Sequence, residues 1–349
     1  MLNKLTITNL KSIDRAELTL APLTIFTGAN SSGKSTVLQA LMLLIKYSVT
    51  ANRYSMEELL RYLDQFSAIR NKSVNARIIT VQVIDNNDVE HGIDISSNEI
   101  NVNSTLQYQF ESIVEKDKPE LFYLNANRIG AQDYVPFSER KVGIIGEYLF
   151  SHYEKIKREP LPKELVKFEE SSTLAYQLTQ WLAFISGSDV ELVTEQIGDR
   201  VQVSFNVKDI EGNVSPFNLG AGISYIAKVL IICLMAKKGD LVLLENPEVQ
   251  LHPKSQALLG VFLSFIASKG IQLVVETHCE HLINRIRLEV SNEKINSQSV
   301  VIHYKPSTKM PFETLLLDDN GHFVDFNENR LSFPSGFFDA SVDTLLSLR

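Results

Sequence analysis

The chain has 349 residues, 44% hydrophobic and 22% charged, with a net charge of −8. This balance excludes a wholly disordered or fibrous chain, and the length allows two or three domains, or one large α/β domain carrying an insertion. The acidic total argues against nucleic-acid binding through bulk electrostatics alone, while leaving room for local basic patches.

The apolar runs at 38–45 and 229–235 are too short to span a membrane. The first seven residues lack the basic-then-apolar plan of a signal peptide, so a cytoplasmic chain with no membrane association is expected. Cys233 and Cys279 are the only cysteines and have neither disulfide-framework nor metal-ligand spacing.

Residues 4–9 and 16–20 alternate as strands, Pro22 punctuates, and the apolar run 23–27 reads as a further strand. It leads into Gly28-Ala29-Asn30-Ser31-Ser32-Gly33-Lys34-Ser35, which fits G-x-x-x-x-G-K-[ST], and a helix-forming run over 36–45 follows. Such a loop lets backbone N–H groups from Asn30, Ser31, Ser32 and Gly33 through Thr36 close around phosphate oxygens at the positive end of a helix. Lys34 adds a point charge for the β- and γ-phosphates, and the Ser35 hydroxyl is placed to ligate Mg²⁺. ATP and Mg²⁺ are the expected cofactors.

From 51 to 207 the pattern changes to polar segments with short strands at 76–84, 105–110 and 121–124, and helices over 141–157 and 173–185. A hairpin joins 190–196 to 200–207 through Gly198-Asp199. Lys155, Lys157, Arg158, Lys163 and Lys167 alternate here with Glu154, Glu159, Glu164, Glu169 and Glu170, which reads as a solvated surface. No heptad run long enough for a coiled-coil arm is present. After Asn218 a Gly-rich turn, a helix over 223–237, a buried strand at 240–244, a helix over 253–268 and a strand at 271–275 restore α/β character. The tail holds a strand, a hairpin around 318–321 and an amphipathic end at 337–348. The expected fold class is α/β: a P-loop NTPase with a mixed sheet, a β-rich N-terminal lobe and a compact inserted helical segment. Its expected divisions are 1–50, 51–210, 211–298 and 299–349.

A phosphate loop needs a second acid and a γ-phosphate sensor before hydrolysis is possible. Leu241-Val242-Leu243-Leu244-Glu245 is an apolar strand ending in an acid, the Walker B arrangement that sets a carboxylate beside the Mg²⁺ shell. It continues as Asn246-Pro247-Glu248-Val249-Gln250-Leu251-His252-Pro253. A second apolar strand ends in Glu276-Thr277-His278-Cys279-Glu280-His281-Leu282, placing His278 where it can donate to a γ-phosphate on the same sheet edge. His91, His152, His303 and His322 show no partner pattern and are read as structural or solvated.

With Ile7-Thr8-Asn9-Leu10-Lys11-Ser12 and Asn218-Leu219-Gly220-Ala221-Gly222-Ile223-Ser224, these motifs resemble the ATPase domain of the OLD, RecF and SMC branch of ABC-type ATPases. Tyr123-Leu124-Asn125-Ala126-Asn127-Arg128-Ile129-Gly130 and Phe337-Phe338-Asp339 bring the chain closer to small stand-alone bacterial ATPases of that branch, of the AAA type found in anti-phage defence. The resemblance spans nearly the whole chain and implies a homodimer of heads, each ATP lying between the P-loop of one head and the signature turn of the other. By it, Gly220, Gly222 and Ser224 form the signature turn that touches the partner's γ-phosphate. Lys11 resembles the basic residue near the nucleotide, Glu245, Glu248 and His278 form the catalytic set, and Ser35 and Glu245 hold the metal. Gln65 is a weak match to a Mg²⁺-sensing loop glutamine.

One departure stands out. The Walker B acid of common ABC ATPases is followed at once by a glutamate that polarises the attacking water, and Asn246 occupies that position here. Asparagine cannot accept the proton, which points to slow hydrolysis with Glu248 taking over. Three uses are open: an ATP-gated dimerising switch, working on DNA or another nucleic acid or with a separate effector protein such as a nuclease or toxin; a nucleotide-gated scaffold with vestigial hydrolysis; and a transporter ATPase subunit. The third lacks its LSGGQ signature and catalytic glutamate. No acidic cluster resembling a nuclease domain follows the ATPase motifs, so any nuclease is expected on a separate chain.

Overall fold

The computed structural model describes residues 1–48, 53–111, 117–208 and 210–334. The expected amphipathic end at 337–348, with Phe337-Phe338-Asp339, lies outside the described residues. In chain order the N-terminal part holds β1 (Leu2–Leu10), β2 (Ile13–Thr19), β3 (Leu23–Gly28), α1 (Lys34–Ser48), α2 (Arg53–Leu59) and α3 (Phe66–Ile69). Next come β4 (Ile79–Asp85), β5 (Glu90–Ile95), β6 (Ile100–Asn103), β7 (Gln109–Phe110), β8 (Glu120–Leu124), β9 (Tyr134–Pro136), α4 (Leu149–Ile156) and α5 (Leu174–Ser186). The remainder comprises β10 (Val190–Ile197), β11 (Arg200–Val207), β12 (Asn213–Val214), α6 (Ala221–Leu234), β13 (Leu241–Glu245), α7 (Pro253–Ala267), β14 (Gln272–Glu276), α8 (Glu280–Ser291), β15 (Val300–Lys305), β16 (Glu313–Leu317) and β17 (Phe323–Val324).

On β1, Leu5 and Ile7 alternate onto the inner face of an antiparallel sheet ordered β2-β1-β4-β5-β6, and a register shift between Leu2 and Lys4 and the left-handed Asn9 (φ 63°) let Leu2 and Leu10 be buried as well. The stretch 51–210 is therefore divided in space: β4 to β6 complete the N-terminal sheet, β7 and β8 join the central one, and β9 to β11 form a third sheet with β12. The central sheet runs β17-β16-β15-β3-β14-β13-β8-β7, with β15 through β7 parallel and β16 and β17 antiparallel.

Burial on both faces explains why the central strands are apolar without interruption. In β13, Leu241 and Leu243 join the core shared with α1 and the antiparallel sheet, whereas Val242 and Leu244 join the core shared with α5, α6 and α7. Helix α1, wedged between two sheets, buries Val37, Leu38, Ala40 and Leu41 through Ile45 nearly all round its axis. The inserted hairpin forms as expected, with Ile197 paired to Arg200 across Gly198-Asp199. Val190, Leu192, Val201, Val203 and Phe205 dock it into the same core as α4 and α5.

Two expected elements are shorter than their periodicity suggested. The helix read over 141–157 begins only at Leu149, because the Glu147 carboxylate accepts the Ile144 and Ile145 N–H groups and holds a turn. The strand read over 105–110 is reduced to Gln109–Phe110, since the Thr105 and Leu106 N–H groups are taken by His91 Nδ1 and Ser104 Oγ.

Trp181 is 1% exposed and meets the rings of Phe168, Phe262 and Phe265 with centroids 4.9–5.5 Å apart. Trp181→Ala is expected to cost about 3–5 kcal/mol in urea denaturation. The nucleotide affinity of the folded fraction should be unchanged, because the aromatic cluster lies behind the central sheet from the phosphate loop.

Candidate functional site

Three parallel neighbours, β3, β14 and β13, end side by side: Phe26 registers with Glu276, and Glu276 with Glu245. Residues that diverge after these strand ends share one edge, where ligands of parallel α/β sheets bind. On the other side of β3, β15 pairs Lys305 with Gly28. Gly28 has φ 127°, and a Cβ there would sit 2.2 Å from the Lys305 carbonyl oxygen, so both the backbone angle and the close approach require glycine. Ala29 N–H donates to that carbonyl at 3.0 Å, pinning the start of the loop to the sheet.

Lys34, in the first turn of α1, is 2% exposed, and its Nζ donates to the carbonyls of Ala29 at 2.7 Å and Gly28 at 3.2 Å. Burial lowers its pKa and the Glu276 carboxylate opposes the shift. The loop also contains exposed Asn30 and Ser31, buried Ser32 and Thr36, and half-buried Gly33 and Ser35. Lys11, at the turn after β1 with φ 51°, donates to Gln39 Oε1 at 2.7 Å and feels the charge of Glu245. The sequence-predicted loop, Lys11, Glu245, Glu248 and His278 thus gather at one edge. Gln65 instead caps the short helix α3 without a side-chain cap bond.

At the end of β13 the Glu245 carboxylate accepts the Tyr123 hydroxyl at 2.9 Å and the Ala126 N–H at 3.2 Å. Asn246 takes a left-handed φ of 45°, and its N–H donates to the Glu276 carbonyl at 2.7 Å. Arg128 braces this bend, its guanidinium donating to the carbonyls of Glu245 and Asn246, each at 2.9 Å. Burial pulls its pKa down to about 10, with Glu248 opposing. Glu248 accepts the backbone N–H of His278 at 3.1 Å, tying the segments that follow β13 and β14 together. The Ser35 hydroxyl and the Lys34 ammonium act on the Glu276 carboxylate against its desolvation. Burial raises the pKa of Glu245, Glu248 and Glu276 alike, the ordinary consequence of three desolvated carboxylates at one edge. Exposed His278 is shifted the other way, by partial burial and then by the Lys34 ammonium, which favours a neutral imidazole.

Buried polar atoms left without a partner concentrate here: Thr27 Oγ1, Ser32 Oγ, Asn246 Oδ1, Glu248 Oε2, Glu276 Oε2 and the Arg128 Nε. Unpaired buried groups of this kind are costly, and a ligand rich in oxygen and bound cation would satisfy them. The hydroxyl and carboxylate oxygens are hard donors suited to Mg²⁺. Among the described residues no group of three or more His, Cys, Asp or Glu is placed to hold a metal unaided, so phosphate oxygens and water would complete such a shell. Beside the loop a cavity of about 710 Å³ is lined by Lys11, Ser12, Arg15, Arg70, Lys72 and Lys309, among others, and its wall meets the loop where Thr308 Oγ1 donates to the Ser31 carbonyl.

The Gly-rich turn sits apart. Gly220 is exposed and caps the N-terminus of α6, and a Cβ on Gly222 would meet the Gln250 carbonyl at 2.5 Å. This packs the first turn of α6 against the loop after β13. Ser224 is buried there with its hydroxyl unpaired.

Sequence reasoning gave no role to Glu276, Tyr123 or Arg128. The first ends an apolar run as Glu245 does, a signal that was visible. The other two act only through the pairing of β8 with β13.

A family model described as AAA domain, putative AbiEii toxin, type IV TA system matches residues 23–284. The fold is similar to an SMC head bound to the C-terminal winged-helix domain of ScpA, at 13% identity and TM-score 0.52, covering 91% of this chain and 98% of that one. It is also similar to the SMC head domain from Thermotoga maritima, at 10% identity and TM-score 0.50, covering 91% and 99%. A third similar structure is an SMC head with an extended coiled coil bound to the C-terminal domain of ScpA, derived from Pyrococcus furiosus, at 11% identity and TM-score 0.50, covering 100% and 99%. At such identities the likeness shows the fold: a P-loop NTPase of the ABC type, with its mixed sheet and β-rich N-terminal lobe. No curated protein matches the chain.

Arg128→Met is expected to lower stability by roughly 3 kcal/mol, because two buried carbonyls lose a charged donor. Arg128→Lys should recover part of the loss, and chemical denaturation of both variants measures it.

Proposed function

The chain belongs to the AAA domain family described as putative AbiEii toxin, type IV TA system, and on that premise we propose that it binds ATP with Mg²⁺ and hydrolyses it slowly as a dimerising switch. The observation that carries the reading is the convergence of unpaired buried polar atoms on the shared edge of β3, β14 and β13, around a phosphate loop. In this reading the loop amides from Asn30 to Thr36 and the Lys34 ammonium bind the phosphates, and the lysine exchanges its bonds to Gly28 and Ala29 for the anion. Ser35 and the neighbouring carboxylates hold Mg²⁺, which when bound neutralises charge on the β- and γ-phosphate oxygens. The basic cavity beside Lys11 and Ser12 receives the nucleoside end.

Glu248 orients the attacking water and takes its proton on the unpaired Oε2, because Asn246 lacks a basic oxygen. His278, kept neutral, donates to the γ-phosphate. The exposed N-terminus of α6 at Gly220 and Ala221 serves a second copy of the chain, its N–H groups and dipole suiting a phosphate, whereas Ser224, expected in the same turn, is buried behind it. ATP-dependent closure of two heads would then be read by a separate effector protein, such as a nuclease or toxin, or by DNA, in phage defence or DNA maintenance. The SMC heads of similar fold are bound to ScpA domains, which supports a docked protein partner. Among the described residues no helix is long and apolar enough to cross a membrane.

Asn246 also favours a second reading, a nucleotide-gated scaffold whose hydrolysis is vestigial. Phosphate release by the purified chain, measured with equilibrium binding of ATP, separates the two. Under the switch reading Lys34→Ala loses ATP affinity, and Glu248→Gln keeps affinity while turnover falls by about 10²–10⁴-fold. Unchanged turnover in Glu248→Gln contradicts the assignment, and binding without any release by the native chain favours the scaffold.

A further inference from the structure

A cavity of about 350 Å³ lies at the opposite end of the central sheet from the phosphate edge. Glu120 is the first residue of β8 and Asp240 directly precedes β13, so both stand where these parallel strands begin, while Glu245 stands where β13 ends. The apolar wall comes from Phe122, Leu161, Leu174 and Leu234, and the polar lining includes His152 and Glu159 beside Glu120 and Asp240. Ile156 ends α4 and Leu234 ends α6, which turns the negative ends of two helices toward this space. Asp240 is satisfied within the chain, one oxygen accepting the Glu120 N–H and the other the Lys237 N–H, each at 2.8 Å. Glu120 is not: it is 8% exposed, its Oε2 accepts the Lys141 ammonium at 2.5 Å, and its Oε1 has no partner. Burial raises the Glu120 pKa against the pull of Lys141. Burial, then the ammonium groups of Lys141 and Lys155, hold the His152 pKa down to about 4, so its ring is neutral and keeps an acceptor nitrogen.

We propose that this cavity is a ligand site separate from the phosphate edge, taking a small organic ammonium ion with an apolar body, whose N–H groups donate to Glu120 Oε1 and to the His152 ring. Charge selects the head group. The carboxylates of Glu120, Glu159 and Asp240 face the ammonium groups of Lys141 and Lys237, so the lining carries one net negative charge, and the two helix ends add to it. A carboxylate ligand would meet Glu120 Oε1 and both helix ends with the wrong sign. A purely apolar ligand would leave that oxygen unpaired, at the cost of a desolvated acceptor. An ammonium is already accommodated against the apolar wall, since Lys141 Nζ lies 5.7 Å from the centre of the Phe122 ring. The leucines and Phe122 supply the apolar contact that such a site uses for the body of its ligand, with few polar groups to orient it.

The site stands independently of the nucleotide reading, so its test uses the full chain without nucleotide. Three probes of one shape are titrated against leucine-methyl-labelled protein and followed by nuclear magnetic resonance: 2-phenylethylammonium, 2-phenylethanol and phenylacetate. The ammonium is expected to saturate in the millimolar range and to shift the methyl signals of Leu161, Leu174 and Leu234, with the alcohol at least about tenfold weaker and phenylacetate weaker still. Glu120→Gln, which keeps the shape and loses the charge, should weaken the ammonium about tenfold and leave the alcohol unchanged. If that variant does not fold, the ranking of the three probes on the native chain decides the question. No saturable binding of the ammonium, equal binding of ammonium and alcohol, or shifts confined to leucines elsewhere overturns the inference. Native ammonium affinity in folded Glu120→Gln overturns it as well.

Discussion

The parallel register of β3, β14 and β13 is the constraint on which the site depends. It brings Phe26, Glu276 and Glu245 into one row, so that three segments far apart in sequence leave the sheet at the same edge. The register is held by burial on both faces: a slip by one residue would move Leu243 and Val274 from the α1 side to the α6 and α7 side. The same burial desolvates the acids at the strand ends and the Lys34 ammonium. Their shifted pKa values and unpaired oxygens are therefore consequences of the fold that positions them.

The edge is also tied to the helix that begins at the Gly-rich turn. Arg128 bonds the bend after β13, and its guanidinium lies 5.3 Å from the centre of the Tyr225 ring in the second turn of α6. One turn further along, buried Lys228 donates to the Ile129 carbonyl and to Gln132 Oε1, each at 2.8 Å. Burial brings its pKa down to about 7, against the pull of Glu147. Gly222 adds a third link by lying against the Gln250 carbonyl. A change at the phosphate edge and the orientation of α6 are thus mechanically joined through side chains that touch both.

Much of this was legible in the sequence wherever the cue is local. The phosphate loop announces its strand and helix, Gly198-Asp199 announces its hairpin, and apolar runs capped by Glu245 and by Glu276-Thr277-His278 announce two buried strands. What escaped depends on pairing across long separations. The stretch 51–210 reads as one insertion, yet β4 pairs with β1 and β8 pairs with β13, and no feature near those strands encodes their neighbours. The turn at 141–148 has helical periodicity, and only the carboxylate of Glu147 folding back on Ile144 and Ile145 ends it. Arg128 and Tyr123 acquire their roles from β8 lying beside β13. Glu276 was in view but overshadowed by His278, and its free oxygen is visible only in three dimensions.

Hydrogen–deuterium exchange of the native chain with and without Mg²⁺ and ATP tests the central claim most directly, because it reads all three strand ends in one experiment. The account predicts protection of 28–36, 245–250 and 276–280 together, with protection of 219–225 appearing only at concentrations where heads associate. Protection confined to the phosphate loop, or none at any of these segments, would contradict the claim that one edge assembles a single nucleotide site.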